Sequence, residues 1–298
     1  LIRAMTTQGQ VAKENLAADL QVSLPEFEQR LPARILDLKQ TDSLASICNS
    51  LFSSASLARD RVSLDTWRVL VRIKEQFRDL AAQQAAGSTL DLTDLLNLAN
   101  TLLLDLAAIG GMVIESMTRS QAFRFLDLGR RLEFAMQSVS LIQSCLITDQ
   151  PVSRELLVAL LETADSIMTY RSRYLANLQL APVLDLLLTD QSNPRSVAYQ
   201  FEALQQHVEH LPGYSQATGY NVEQKISTSM LYAIRIVDIE GICESHSLGA
   251  LGPLEELLER FDRELPLLAN AISHHYFAHT GPARQLTAME RTAESPCN

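Results

Sequence analysis

The sequence predicts an all-α protein: a multi-helix bundle built from two imperfect helical repeats, with no β-sheet. Three observations carry that expectation. Glycine and proline number only 11 and 10 in 298 residues, so helix breakers are scarce. Hydrophobic residues make up 47% of the chain, and they recur at three and four positions rather than alternately. A short pattern also occurs twice. Ile35-Leu-Asp-Leu38 precedes Ser43-Leu-Ala45, and Val183-Leu-Asp-Leu186 precedes Ser196-Val-Ala198, with five more residues in the second connecting loop.

The elements follow in order. Val11–Leu20 has the spacing of a short helix, and Ser23-Leu-Pro-Glu26 forms a capping box that starts another. Ser43 to Val62 carries Leu44, Ile47, Cys48, Leu51, Ala55 and Ala58 at helical intervals. Ser63 or Asp65 caps a helix carrying Trp67, Leu70, Val71 and Phe77, which Gly87 ends. Asp91 opens a long apolar helix to about Met117. Gly110-Gly111 lies inside it, which predicts close packing against a neighbour, because mid-helix glycine otherwise costs about 1 kcal/mol. Ser120 starts a helix to about Ile147 with Phe125, Leu128, Leu132, Val139 and Ile142 inward.

Asp149-Gln-Pro151 breaks the chain, and Ser153 to Tyr174 reads as one helix. Pro182 to Leu188 is a short helix. Asn193-Pro194 reads as an N-cap followed by proline in the first turn, opening a helix that Pro212-Gly213 stops. Asn221 to Ser247 is apolar on more than one face and is expected to be central. Gly252-Pro253 starts the last helix, which reaches His279 with a kink at Pro266. The later copy of the repeated pattern follows two long helices, whereas the early copy follows only residues 1–22. The expected organisation is therefore a first repeat over 1–118 lacking its N-terminal helix, a second over 119–282, and a loose tail over 283–298. Both repeats belong to one compact domain, and a hydrophobic groove is expected beside the N-terminal residues.

Charge narrows the function. With 25 Lys+Arg against 35 Asp+Glu the net charge is −10, which argues against nucleic acid or an anionic membrane as partner. The longest apolar run, Leu106 to Ile114, is short of the roughly 18 residues that span a bilayer, and no secretory signal opens the chain. Cys48, Cys145, Cys243 and Cys297 are widely separated, which fits reduced thiols in the cytoplasm. No cofactor is expected: the chain has no P-loop and no GxGxxG. No metal is expected either, because His275/His279 and His207/His210 lack the glutamate of an HExxH site.

The most unusual block is Arg119 to Glu133. Arg124, Asp127 and Arg131 share one helix face, and Arg130 and Glu133 flank it. Gly129 is placed in the apolar stripe, open to a neighbouring helix. Guanidinium forks at this spacing match a carboxylate or phosphate, and equally match an inter-helix salt-bridge network. Arg171, Arg173 and Tyr174 close a later helix, where cations also complement the helix dipole. Arg195 stands at the start of another, a position suited to an anion or to simple capping. Arg59-Asp-Arg61 is a further candidate for the same network. Arg124, Arg131, Arg171 and Arg195 are expected to converge on one region.

Several blocks together resemble the Alpha-E superfamily: ARDRVSLDTW (58–67), FRFLDLGRRLEFA (123–135), YRSRY (170–174), VLDLLLTDQSNPRSV (183–197) and the closing HHYFAHTGPARQL. Phe134 stands where the family usually has an arginine after the glutamate. The family's opening LYWLGRYxERAE helix has no counterpart here. The resemblance implies a helical protein encoded beside, or fused to, a circularly permuted ATP-grasp protein. It implies a non-catalytic accessory or docking role in amide-bond formation, with a small anionic peptide as substrate. An enzyme built on the Arg/Asp cluster and a purely structural scaffold are the alternatives.

Overall fold

The computed structural model describes residues 30–32, 34–40, 43–87, 90–147, 152–174, 177–212, 219–247 and 252–277. The helix expected at 11–20, the capping box at Ser23, the groove beside the first residues and the tail after Gly281 lie outside them. The protein is all-α, and no strand occurs among the described residues.

Three helices form a first group: α1 (Leu44–Leu57), α2 (Leu64–Ala85) and α3 (Leu92–Ser116). Each starts where the sequence places a cap. Ser43, Ser63 and Asp91 accept from the amides of Ser46, Thr66 and Asp94, and Asp94 returns a bond to complete a capping box. α1 ends at Leu57, earlier than expected, because Arg59–Arg61 tightens into a 3-10 turn. α2 packs against both α1 and α3. Their core is small: Ala45, Cys48, Ile73, Phe77, Leu98 and Leu102, with Leu36.

The second group is larger. α4 (Gln121–Leu146) lies against α8 (Val197–Glu209) and α11 (Gly252–Phe277), and α9 (Val222–Arg235) packs on both of these. α5 (Arg154–Thr163), α6 (Ile167–Tyr174), α7 (Leu180–Leu184) and α10 (Ile239–Ser247) close round them. Phe201 meets Phe261 edge-on at 4.9 Å across α8 and α11. A π-helical turn, Asp185–Thr189, continues α7. Three consecutive leucines there, Leu186 to Leu188, are all buried, which requires neighbours on every side of the turn. α7, α8 and α9 supply them.

Four local expectations are corrected. Ser153–Tyr174 is two helices, because the chain reverses at Ala164–Ser166 with Asp165 at φ 50°. Asn221–Ser247 is also two, separated at Ile236–Asp238. Asn193 is not the cap of α8; Ser196 is, accepting from the Tyr199 amide at 3.0 Å. Asn193 instead holds the preceding turn, through the Arg195 amide and the Leu186 carbonyl. Gly111 and Gly129 face open space, where a methyl group would meet nothing within 4 Å, so neither admits a close neighbour.

The turns before α1 and α8 share their bonding, but in a register that differs from the expected one. Ser43 caps α1 and donates to the Asp37 carbonyl at 2.6 Å; Ser196 caps α8 and donates to the Asp190 carbonyl. The Asp37 carboxylate accepts from the Lys39 amide, and that of Asp190 from the Ser192 amide. Asp190 therefore matches Asp37, not Asp185, and the expected extra loop residues vanish.

Candidate functional site

The charged block of α4 assembles around one carboxylate. Asp127 is buried and faces α8. Arg130 reaches it at 2.9 Å, Arg131 at 3.3 Å, and His207 of α8 donates from Nε2 at 2.7 Å. Burial pushes the Asp127 carboxyl up, but the His207 hydrogen bond and the two guanidinium charges outweigh that and hold it far below the usual carboxylate range. Arg131 also donates to Gln200 of α8 at 3.3 Å, and its guanidinium lies over the Tyr199 ring. Gln200 in turn donates to the Pro194 carbonyl. Two guanidinium groups and the His207 ring share one carboxylate, so Asp127 is satisfied from within the cluster. It joins α4 to α8 as a brace.

Most of the other candidates have partners of their own. Glu133 is exposed and accepts from Gln137 on its own helix. Arg195 pairs with Asp165 at 2.8 Å and lies over Phe134. Arg173 pairs with Asp190, and with Ser192 at 3.0 Å. Burial raises the Asp190 carboxyl, yet the two Ser192 hydrogen bonds and the Arg173 charge bring it down overall. Tyr174 donates to Asp185 at 2.9 Å, on the π-helical turn. Arg124 and Arg171 make no ion pair or hydrogen bond with the described residues. Arg131, Arg173 and Arg195 each pair with a different acid, Asp127, Asp190 and Asp165. Arg59 and Arg61 do not join the cluster: Arg59 bonds the Val62 carbonyl, and Arg61 pairs with Asp60.

Three features went unread in the sequence. His207 appeared only as half of a metal pair, because its partner is 80 residues away. Glu223, buried at the start of α9, accepts from His275 Nδ1 at 2.8 Å, beside an open cleft of about 590 Å³ lined by Tyr220, Lys225 and His274. The corner between α1 and α2 is the third. Phe52 and Trp67 pack at 5.1 Å, Arg59 stacks on Trp67 at 4.7 Å, and Lys74 lies over Phe52 at 4.0 Å. Beside them Leu57 is 91% exposed and Leu64 is also exposed. Among the described residues no group of three or more metal-ligating side chains forms. Burial pushes the Cys48 thiol up to about 11, which leaves it unreactive at neutral pH.

A family model for a predicted alpha-helical domain with a conserved ER motif, Alpha-E, matches residues 1–277. The chain belongs to the Alpha-E family. Phe134 follows Glu133, so no Glu-Arg pair forms there; a Glu-Arg dipeptide does occur at Glu259-Arg260 on α11. Two curated relatives, the uncharacterized protein Rv2567 of Mycobacterium tuberculosis and the uncharacterized protein Mb2597 of Mycobacterium bovis, are each 27% identical over 263 residues. That alignment covers 88% of this chain and 29% of either relative, so the chain spans under a third of their length. No solved structure matches the chain.

Proposed function

We propose that this Alpha-E chain is a non-catalytic docking module for an ATP-grasp protein that forms amide bonds. The observation that carries docking is the α1–α2 corner. Exposed Leu57 and Leu64 flank a Trp67–Phe52 pair crossed by Arg59 and Lys74. Tryptophan and arginine are the residues enriched in interface hot spots, and the exposed leucines add apolar surface near them. The ATP-grasp partner comes from the family resemblance. A small anionic peptide as substrate likewise comes from the resemblance.

The test is co-purification with the ATP-grasp protein encoded beside the chain. We expect a stoichiometric complex that Leu57→Ser and Trp67→Ala each weaken at least tenfold. Leu57 is so exposed that its replacement leaves the fold intact, which separates lost docking from lost folding. A complex that both variants retain would overturn the corner as the docking surface.

A further inference from the structure

By length and composition α3 passes as a membrane span, with a mean hydropathy of 1.5 over its most apolar 18 residues. This corrects the expectation drawn from the Leu106–Ile114 run: Asp105 interrupts the apolar sequence without ending it. Among the described residues no other helix does so. Only 17% of that stretch is buried, so α3 is not simply a core helix.

Two seams of apolar residues run along α3, each with alternating steps of three and four; exposed Leu104 and Ile114 lie off both. The inner one, Leu95, Leu98, Leu102, Asp105 and Ile109, faces the small core, and its Asp105 is held by Arg72 of α2. The outer one runs Leu92, Leu96, Ala99, Leu103, Leu106 and Gly110, and its four leucines are all exposed, Leu103 by 67%. A three-four step sustained over nearly three heptads is the pattern of a helix that receives another helix. A lipid surface requires no such step.

We propose that the outer seam of α3 is a homodimer interface, packed antiparallel against the same seam of a second copy. Three arguments favour a second copy. Within α3 the charged residues are Asp94, Asp105 and Glu115, and none falls on the outer seam, so no carboxylate of this acidic helix meets its own kind there; the Arg130 guanidinium of α4 lies beside Gly110, near the seam's end. Antiparallel pairing with Leu103 opposite Leu106 places Leu96 opposite Val113 and Ala99 opposite Gly110, so large side chains meet large and small meet small. The seam is about 30 Å long at 1.5 Å per residue; a helix-wide strip of that length buries on the order of 600 Å² per copy, reaching the lower bound of specific interfaces. The ends of α3 carry Asp91, Asp94 and Glu115 and no cation, which disfavours an anionic bilayer. This surface is distinct from the α1–α2 corner and stands without the ATP-grasp partner.

Sedimentation equilibrium of the purified chain over roughly 1–100 μM tests it. The expected mass is twice 33.1 kDa. Leu103→Lys and Leu106→Glu should each give the monomer with an unchanged helical spectrum, because both side chains already face solvent. The double variant should recover the dimer, since the antiparallel register sets each new lysine opposite a new glutamate. A wild-type monomer throughout, or a dimer that Leu103→Lys leaves intact, overturns the proposal. Flotation of monomeric protein with phosphatidylcholine vesicles, lost in Leu103→Lys, also overturns it and assigns the seam to lipid.

Discussion

Asp105 on α3 and Asp127 on α4 are both buried and both ion-paired, yet their surroundings differ. Asp105 meets a single cation, Arg72, whose side chain stays largely in solvent. Asp127 meets Arg130, Arg131 and His207, and the last two are themselves mostly buried. The same contrast runs through the helices. At the register fixed by the shared turn, Leu51 of α1 matches Leu204 of α8; Leu204 is 0% exposed under its neighbours and Leu51 is 39% exposed. Ile47 likewise matches Gln200, which Arg131 of α4 reaches. The second group of helices is closed round α4, whereas the first keeps apolar faces outward. A closed group holds the fold, and an open group has surface to offer a partner.

Core truncation should show the largest difference. Phe201→Ala removes a fully buried ring packed on Phe261 and should cost about 3–5 kcal/mol, lowering the main thermal transition. Phe77→Ala empties a core of a few side chains beside solvent, so the site collapses more readily and the cost falls at the low end of that range. Calorimetry of both variants checks this. Equal losses in one shared transition would show that the two cores melt as one.

The aspartates give the next effect. Asp127→Ala leaves Arg131 and its neighbours without a counter-ion in a buried place, at a cost of about 3–5 kcal/mol. Asp105→Leu should leave the melting temperature unchanged or raise it, because Arg72 turns fully into water and a leucine continues the inner seam. A drop for Asp105→Leu as large as for Asp127→Ala would remove the distinction.

How far the sequence showed this follows from the range of each interaction. The helix starts at Ser43, Ser63, Asp91 and Ser153 were legible because the start of a helix depends on only its first few residues. The breaks at Ala164–Ser166 and Ile236–Asp238 were not, since neither carries glycine or proline and tertiary packing sets them. Arg130 and Arg131 could be placed near Asp127 from helical spacing. His207 could not, because only the α4–α8 contact brings it there. The outer seam of α3 was present in the spacing but merged with the inner one until burial separated them.

Acid should expose the Asp127 brace. Its carboxyl is held below its unfolded value of about 3.9, so its stabilisation is complete above that value and is lost as pH falls through the folded one. The stability difference between wild type and Asp127→Asn should shrink as the pH falls below about 4. Urea titrations across that range measure it; a gap that widens on acidification would contradict the sign.

The smallest effect separates the two copies of the repeated turn. Ser43→Ala removes a helix cap, a loss of about 1 kcal/mol. The Asp37 residue whose carbonyl it also bonds is exposed, so water replaces that hydrogen bond. Ser196→Ala removes the same cap, but the hydroxyl is fully buried and its second partner, the Asp190 carbonyl, is only partly accessible. A carbonyl left unsatisfied adds about 1–3 kcal/mol, so Ser196→Ala should cost two to four times as much as Ser43→Ala. Chemical denaturation of the two variants decides it. The turns share their bonding, so a difference in cost reports only what surrounds them: solvent in the first group, packed leucines in the second. Equal costs would mean that water reaches Asp190 as freely as Asp37, and that the second group is less closed than its core implies.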